Sequence, residues 1–253
     1  MNCKSIDILA HHGVKGQKWG VRNGPPYPIE DKVLKKGTRL NSVSRYDDAN
    51  AYKKSGNWMY TYNANDEWDS KVYKGPFSIY KIQMGAEYLT EHQYEVVKDL
   101  KMPTKQERVD EFINLYTDNK RMVVKDLTDV QKSLKKYNVG GESGEAARNV
   151  NLKKLKTKED YEAAYEVFNH AMETGYRYKT TRAYSDIMSK KYDAMVDDNN
   201  QGIYNNAHDP VIIFRADEVL KAIGSTPLEW NEIKANTDYV RDELAKQGKR
   251  VKL

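Results

Sequence analysis

From residue 38 onward the chain alternates between two hydrophobic periods. Over 57–63, Trp58, Tyr60 and Tyr62 alternate with Met59 and Thr61, the period-2 pattern of a half-buried strand. Weaker patterns predict strands over 38–45, after Gly37, and over 94–100. "FSIYKIQM" at 77–84 predicts another, behind the turn signal Gly75-Pro76. The period then lengthens. Over 103–119, Thr104 and Glu107 have capping-box spacing, and Val109, Phe112, Ile113 and Tyr116 form one stripe. Over 157–176, Thr157 and Asp160 open a second helix whose stripe is Tyr161, Ala164, Tyr165, Phe168 and Met172, with Gly175 as its stop. Over 226–248, Thr226 caps, Pro227 takes the first helical position, Glu229 completes the box, Ile233, Val240 and Leu244 face inward, and Gly248 closes. "GGESGEAA" at 140–147 is a flexible break between helical stretches. Late in the chain, strands are predicted at 191–196 and 211–215 around a polar loop, 197–209. The apolar run "PVIIFR" suits a buried central strand.

Strands early, helices in the middle and a strand pair late predict one α+β domain over 37–253, with a mixed or antiparallel sheet and several helices. Residues 1–36 sustain neither period. Pro25, Pro26 and Pro28 favour extended backbone, so this stretch reads as a Gly/Pro-rich arm and linker.

Charge sharpens that division. Residues 1–36 hold seven Lys/Arg against three Asp/Glu, and 246–253 hold four against none, so the net +5 leaves 37–245 near −3. A slightly acidic body with basic ends argues against a dedicated nucleic-acid domain. It fits a docking arm better. With 39 % hydrophobic and 31 % charged residues the chain is polar for a folded domain but not a disordered one. Its single cysteine, Cys3, permits no internal disulfide. No apolar run reaches the roughly 18 residues of a membrane span, and the opening apolar stretch is too short for a secretory signal. No membrane partner is expected.

Little in the body suggests chemistry. His11 and His12 are adjacent, so their side chains diverge, and His92, His170 and His208 are scattered; no metal site is expected. "GVKGQKWG" lacks the Walker spacing, because Gln17 separates Gly16 from Lys18 and no helix follows. "DDNNQG" at 197–202 has calcium-loop composition, but the twelfth position from Asp197 is His208 rather than Glu. The arm has a docking chemistry of its own: Trp19 is an aromatic anchor, and Lys18 and Arg22 suit acidic partners.

"HHGVKGQKWGVR", His11 to Arg22, resembles a motif of tailed-phage and prophage proteins of gut Firmicutes, roughly H-H-G-[VI]-K-G-Q-[KR]-W-G-[VI]-R. "KKGTRLNSVSRY", "NWMYTYNANDEWDSKVYKGPFS" and "YDAMVDDNNQGIYNNAHDPVIIFR" look like segments of the stand-alone members, often labelled capsid or scaffold proteins. The resemblance implies a virion-associated, non-enzymatic structural protein, located in the virion or the bacterial host cytoplasm. It would use no cofactor. Its arm residues His11, His12, Gly13, Lys15, Gly16, Gln17, Lys18, Trp19, Gly20 and Arg22 would bind a virion or assembly protein.

The strand layout also resembles ADP-ribosyltransferase domains. That resemblance implies an NAD-dependent effector, packaged in the virion and acting on a host protein, with an Arg or His on its first strand, a Ser/Thr step on its second and a Glu on a late strand. Arg39 and Thr61 are the candidates for the first two positions, although an Arg at Asn41 or Ser42 would match better. No Glu lies in 192–204, where Asp197 and Asp198 are the available acids.

Overall fold

A computed structural model describes residues 29–30, 33–54, 58–136, 144–173, 177–197, 207 and 210–247. The fold is α+β. Its centre is a six-stranded antiparallel sheet built from β3 (Arg39–Ser44), β4 (Met59–Asn63), β5 (Thr90–Val96), β7 (Ala194–Val196), β8 (Val211–Ile213) and β9 (Leu220–Pro227), in the order β7-β8-β4-β3-β5-β9. The early strands 38–45 and 57–63 and the apolar run at 211–215 are found at or near their predicted places. β8 is internal to the sheet, as a continuous apolar run requires.

Alternation assigns each face. Leu40 pairs with Tyr94, Ser42 with His92 and Ser44 with Thr90, so these share one face. Met59, Val211 and Ile213 continue that face into a core with Leu34, Leu100 and Met102. A small three-stranded sheet supplies part of this cover: β1 (Ile29–Glu30), β2 (Val33–Leu34) and β6 (Leu100–Lys101). Within the stretch read as arm and linker, Leu34 is fully buried and β2 pairs with β6.

The opposite face carries two helical groups. Under β8 and β7 lie α4 (Lys105–Asp118), α5 (Lys120–Lys136), α7 (Lys158–Glu173) and α8 (Lys179–Met188). Phe112 stacks on Phe168 at 5.2 Å, Tyr184 meets Phe168 edge-on at 4.7 Å, and Met195 and Ile212 join this cluster to the sheet. The predicted caps form: Thr104 accepts from the Glu107 N–H at 3.2 Å and the Glu107 carboxylate accepts from the Thr104 N–H at 2.7 Å. Thr157 and Asp160 do the same for α7. Gly175 and Gly248 lie outside the described residues. Within 140–147, residues 145–147 belong to a short helix, α6 (Glu145–Asn149), and the rest up to 143 lies outside the described residues.

The second group differs from expectation. Residues 77–84 are helical: α2 (Glu67–Val72) runs through a π turn, Tyr73–Phe77, into α3 (Ser78–Gln83). Tyr73, Phe77, Ile79 and Ile82 pack together at helical spacing, which here overrides β propensity. Gly85, at φ +92°, ends α3: its N–H bonds the Ile82 carbonyl and the Ala86 N–H bonds that of Lys81. The last helix, α10 (Trp230–Lys246), begins three residues later than predicted. Thr226 and Pro227 instead pair with Glu91 and Thr90 in β9. β9 is an edge strand, so the N–H that Pro227 lacks leaves no ladder bond unmade. Ile233, Val240 and Leu244 do face inward. The strand expected over 94–100 starts at Thr90 and ends at Val96, and that expected over 191–196 begins at Ala194. Two short helices complete the body, α1 (Ala49–Lys53) and α9 (Ala216–Val219). Among the described residues no helix is long and apolar enough to cross a membrane.

Candidate functional site

The three candidate positions on β3, β4 and the end of β7 do not converge. Leu40 opposes Asn63 and Asn41 opposes Tyr62, so continuing the register puts Ser42 opposite Thr61, which itself pairs with Val211. Arg39 is exposed, pairs with Glu95, and points to the face opposite Thr61. Asp197 follows β7 on the helical face, where it is 1 % exposed and its Oδ1 accepts from Asn169 Nδ2 of α7 at 2.5 Å. Arg39 and Asp197 lie on strands three spacings apart, roughly 14 Å across the sheet. Asp198 and His11 to Arg22 lie outside the described residues.

The hydroxyls in this strip are committed to the sheet. Ser42 Oγ donates to the Tyr60 carbonyl at 2.6 Å and Thr61 Oγ1 to the Val211 carbonyl at 2.9 Å, with Thr61 fully buried. Ser42 stands where the better-matching Arg would sit, and it brings no charge. The strip ties β3, β4 and β8 together.

Two polar clusters that the strand patterns do not reveal flank β3 and β5. On the face of Leu40 and Tyr94, His92 is fully buried between two hydroxyls, Ser44 Oγ at 3.0 Å from Nε2 and Ser225 Oγ at 2.9 Å from Nδ1. Ser44 Oγ also accepts from the Tyr46 N–H at 3.1 Å, and the Tyr52 ring lies 5.7 Å from the imidazole. Burial holds His92 below its ordinary pKa, against the upward pull of the Tyr46 backbone and of Asp48, Asp47 and Glu91. The imidazole is therefore neutral at pH 7, one nitrogen donating and the other accepting. A hydroxyl–imidazole contact of this kind can pass a proton, but Ser44 is 3 % exposed and His92 not at all, and of the three groups only Ser225 is exposed. The cluster joins β3, β5 and the edge strand β9.

On the other face Glu91 gathers Asn41, whose Nδ2 donates to Oε1 at 3.0 Å, the Tyr62 hydroxyl, which donates to the same oxygen, and Lys74 Nζ, 3.8 Å from Oε2. Lys74 also reaches Glu232 of α10 at 3.3 Å. Burial and then the Glu91 charge push the Tyr62 hydroxyl well above its usual pKa, so it stays a donor. The sequence signal for both clusters was the run "TEHQYEV", in which polar residues fall on both faces of β5. Among the described residues no group of three or more His, Cys, Asp or Glu is placed to hold a metal ion.

The opening segment has relatives as a unit. Residues 4–26 match the model of a family of unknown function, DUF7211. That stretch contains every arm residue from His11 to Arg22 and ends three residues before β1. No curated protein and no solved structure matches the chain.

Proposed function

We propose that this chain is a virion-associated structural protein whose N-terminal arm, centred on Trp19, docks on a particle or assembly partner. The observation that supports this reading is that residues 4–26, which hold every proposed docking residue, match a family model by themselves. A short segment with one large aromatic among Lys15, Lys18 and Arg22 binds as an anchor with charged surroundings. Mass spectrometry of purified particles tests the proposal: the protein is present, and Trp19→Ala lowers its incorporation about tenfold, the effect of losing ~1.4 kcal/mol of docking energy, without lowering the body's melting temperature. Unchanged incorporation overturns it.

A second reading is an ADP-ribosyltransferase-like effector carried in the particle to a host protein. One observation favours it: β3, β4 and β7, the strands for that family's three positions, belong to one sheet. Labelled NAD incubated with the protein and host lysate decides. Label transfer that is lost in Arg39→Ala or Asp197→Ala establishes this reading, and no transfer leaves docking.

A further inference from the structure

The total charge of the body hides one strongly basic element. α5 holds six Lys/Arg against two Asp in its 17 residues, a net +4 on one helix of a body near −3. Its inner face is apolar, with Val123, Leu127, Val130 and Leu134 buried, so its cations are driven outward. Two shallow concavities of about 700 and 650 Å³ share Lys120, Arg121 and Lys125 as a common wall. Lys153 lines the first, and Arg177 and Lys179 line the second. Three separate segments thus bring cations to one surface.

These cations are not spent on the fold. Arg121, Lys125, Lys153 and Lys179 make no ion pair among the described residues. Lys120 and Arg177 lie over the rings of Tyr116 and Tyr178, contacts that leave their charge in place. Of the acids beside them, Asp129 pairs with Lys132 at 3.2 Å. Asp126, which accepts from the backbone N–H and hydroxyl of Thr180, both at 2.9 Å, and Asp118, at the end of α4, keep their charge, so the six cations outnumber them by four.

We propose that this surface binds the phosphodiester backbone of nucleic acid. A protein partner of ordinary affinity needs a buried apolar or aromatic anchor. Val124 and Met122, half-buried, line the two concavities, but the large hydrophobics exposed among the described residues are Met84, Tyr88, Val97, Ile223, Trp230 and Tyr239, all on other elements. A phosphate backbone needs only clustered, uncompensated cations, and binding to it is independent of sequence. The inference stands apart from the arm's docking role and survives its failure.

The test uses the full chain and a fluorescein-labelled random-sequence duplex of about 25 base pairs, followed by anisotropy from about 50 to 200 mM KCl, the range over which phosphate contacts weaken steeply. The wild type binds with a linear fall of log affinity against log salt. Arg121→Ala/Lys125→Ala/Lys153→Ala, three exposed positions, weakens binding at least tenfold at about 50 mM and flattens the slope by about 2.7, or about 0.9 per phosphate contact. A second variant, Lys15→Ala/Lys18→Ala/Arg22→Ala, keeps most of the body's share. The proposal fails if the wild type does not bind the duplex at micromolar concentration. It also fails if the α5 variant matches the wild type while the arm variant loses binding, or if poly-glutamate competes as well as unlabelled duplex, which would assign the surface to an acidic protein.

Discussion

At the scale of the residue, His92 has the clearest consequence. Its ring is fully buried between Ser44 and Ser225, and burial lowers its pKa. The unfolded chain takes up a proton near pH 6.5 while the folded chain resists it until lower pH. Stability from this group is therefore complete above about pH 6.5 and is lost as the pH falls toward the folded pKa, at up to about 1.4 kcal/mol per pH unit for one proton. Urea unfolding between about pH 7.5 and 5 should show that decline, and His92→Asn should remove it at the cost of a lower starting stability. An unchanged pH slope in the variant would assign the decline elsewhere. Asp193 works in the same direction on the same principle, at more acid pH. Burial raises its pKa, but the Lys101 N–H, Lys98 and Arg215 outweigh that and hold its carboxyl low. It stabilises the junction of β6 and β8 until strongly acid pH protonates it. Neither role was legible in the sequence, where His92 was one scattered histidine and Asp193 an ordinary acid. Each depends on contacts between strands far apart in the chain.

At the scale of the element, Gly75 decides how the π turn meets α10. A Cβ at this position would lie 2.7 Å from the backbone of both Asn236 and Thr237. Backbone cannot rotate away as a side-chain tip can, so Gly75→Ala must push α10 off the sheet or distort the turn. A loss of about 2 kcal/mol is expected, within the usual cost of overpacking, read as a lower urea midpoint at unchanged m-value. A change below about 0.5 kcal/mol, the range of an ordinary surface substitution, would mean that the contact relaxes freely. The dipeptide Gly75-Pro76 was a turn signal in the sequence, and the residues after it carried β-type composition. The structure uses both differently: Pro76 lacks the N–H that a regular α-turn would donate, and the widened turn accommodates this. Elements whose local signals agreed, such as α4 with its capping box and stripe, lie where the sequence puts them. Elements that exist because a neighbour pairs with them, such as β9 beside β5 and β1 and β2 beside β6, were not visible locally. For α5 the cations were all in plain sight, but charge totals averaged them away, and only the packed inner face showed which way they point.

At the scale of the whole molecule, the question is whether the arm and the body are separable. The described core begins at Leu34, and each of its four clusters closes with residues from that point on. The outermost described strand, β1, adds one antiparallel pairing at Ile29 and Glu30 to a small sheet already anchored by β2 and β6. The family match stops at residue 26, before any of this begins. Deleting residues 1–26 should therefore leave the melting temperature of the body within about 2 °C of the full chain, since a shift of 2–4 °C corresponds to about 1 kcal/mol in a domain of this size. The same deletion should abolish incorporation into particles while sparing duplex binding by the α5 surface. A deletion extended through residue 34 removes a fully buried leucine and the strand that pairs with β6, and should lower the melting temperature by several degrees. If both deletions melt alike and well below the full chain, the arm is part of the folded body, and Trp19 belongs to its packing rather than to a partner's surface.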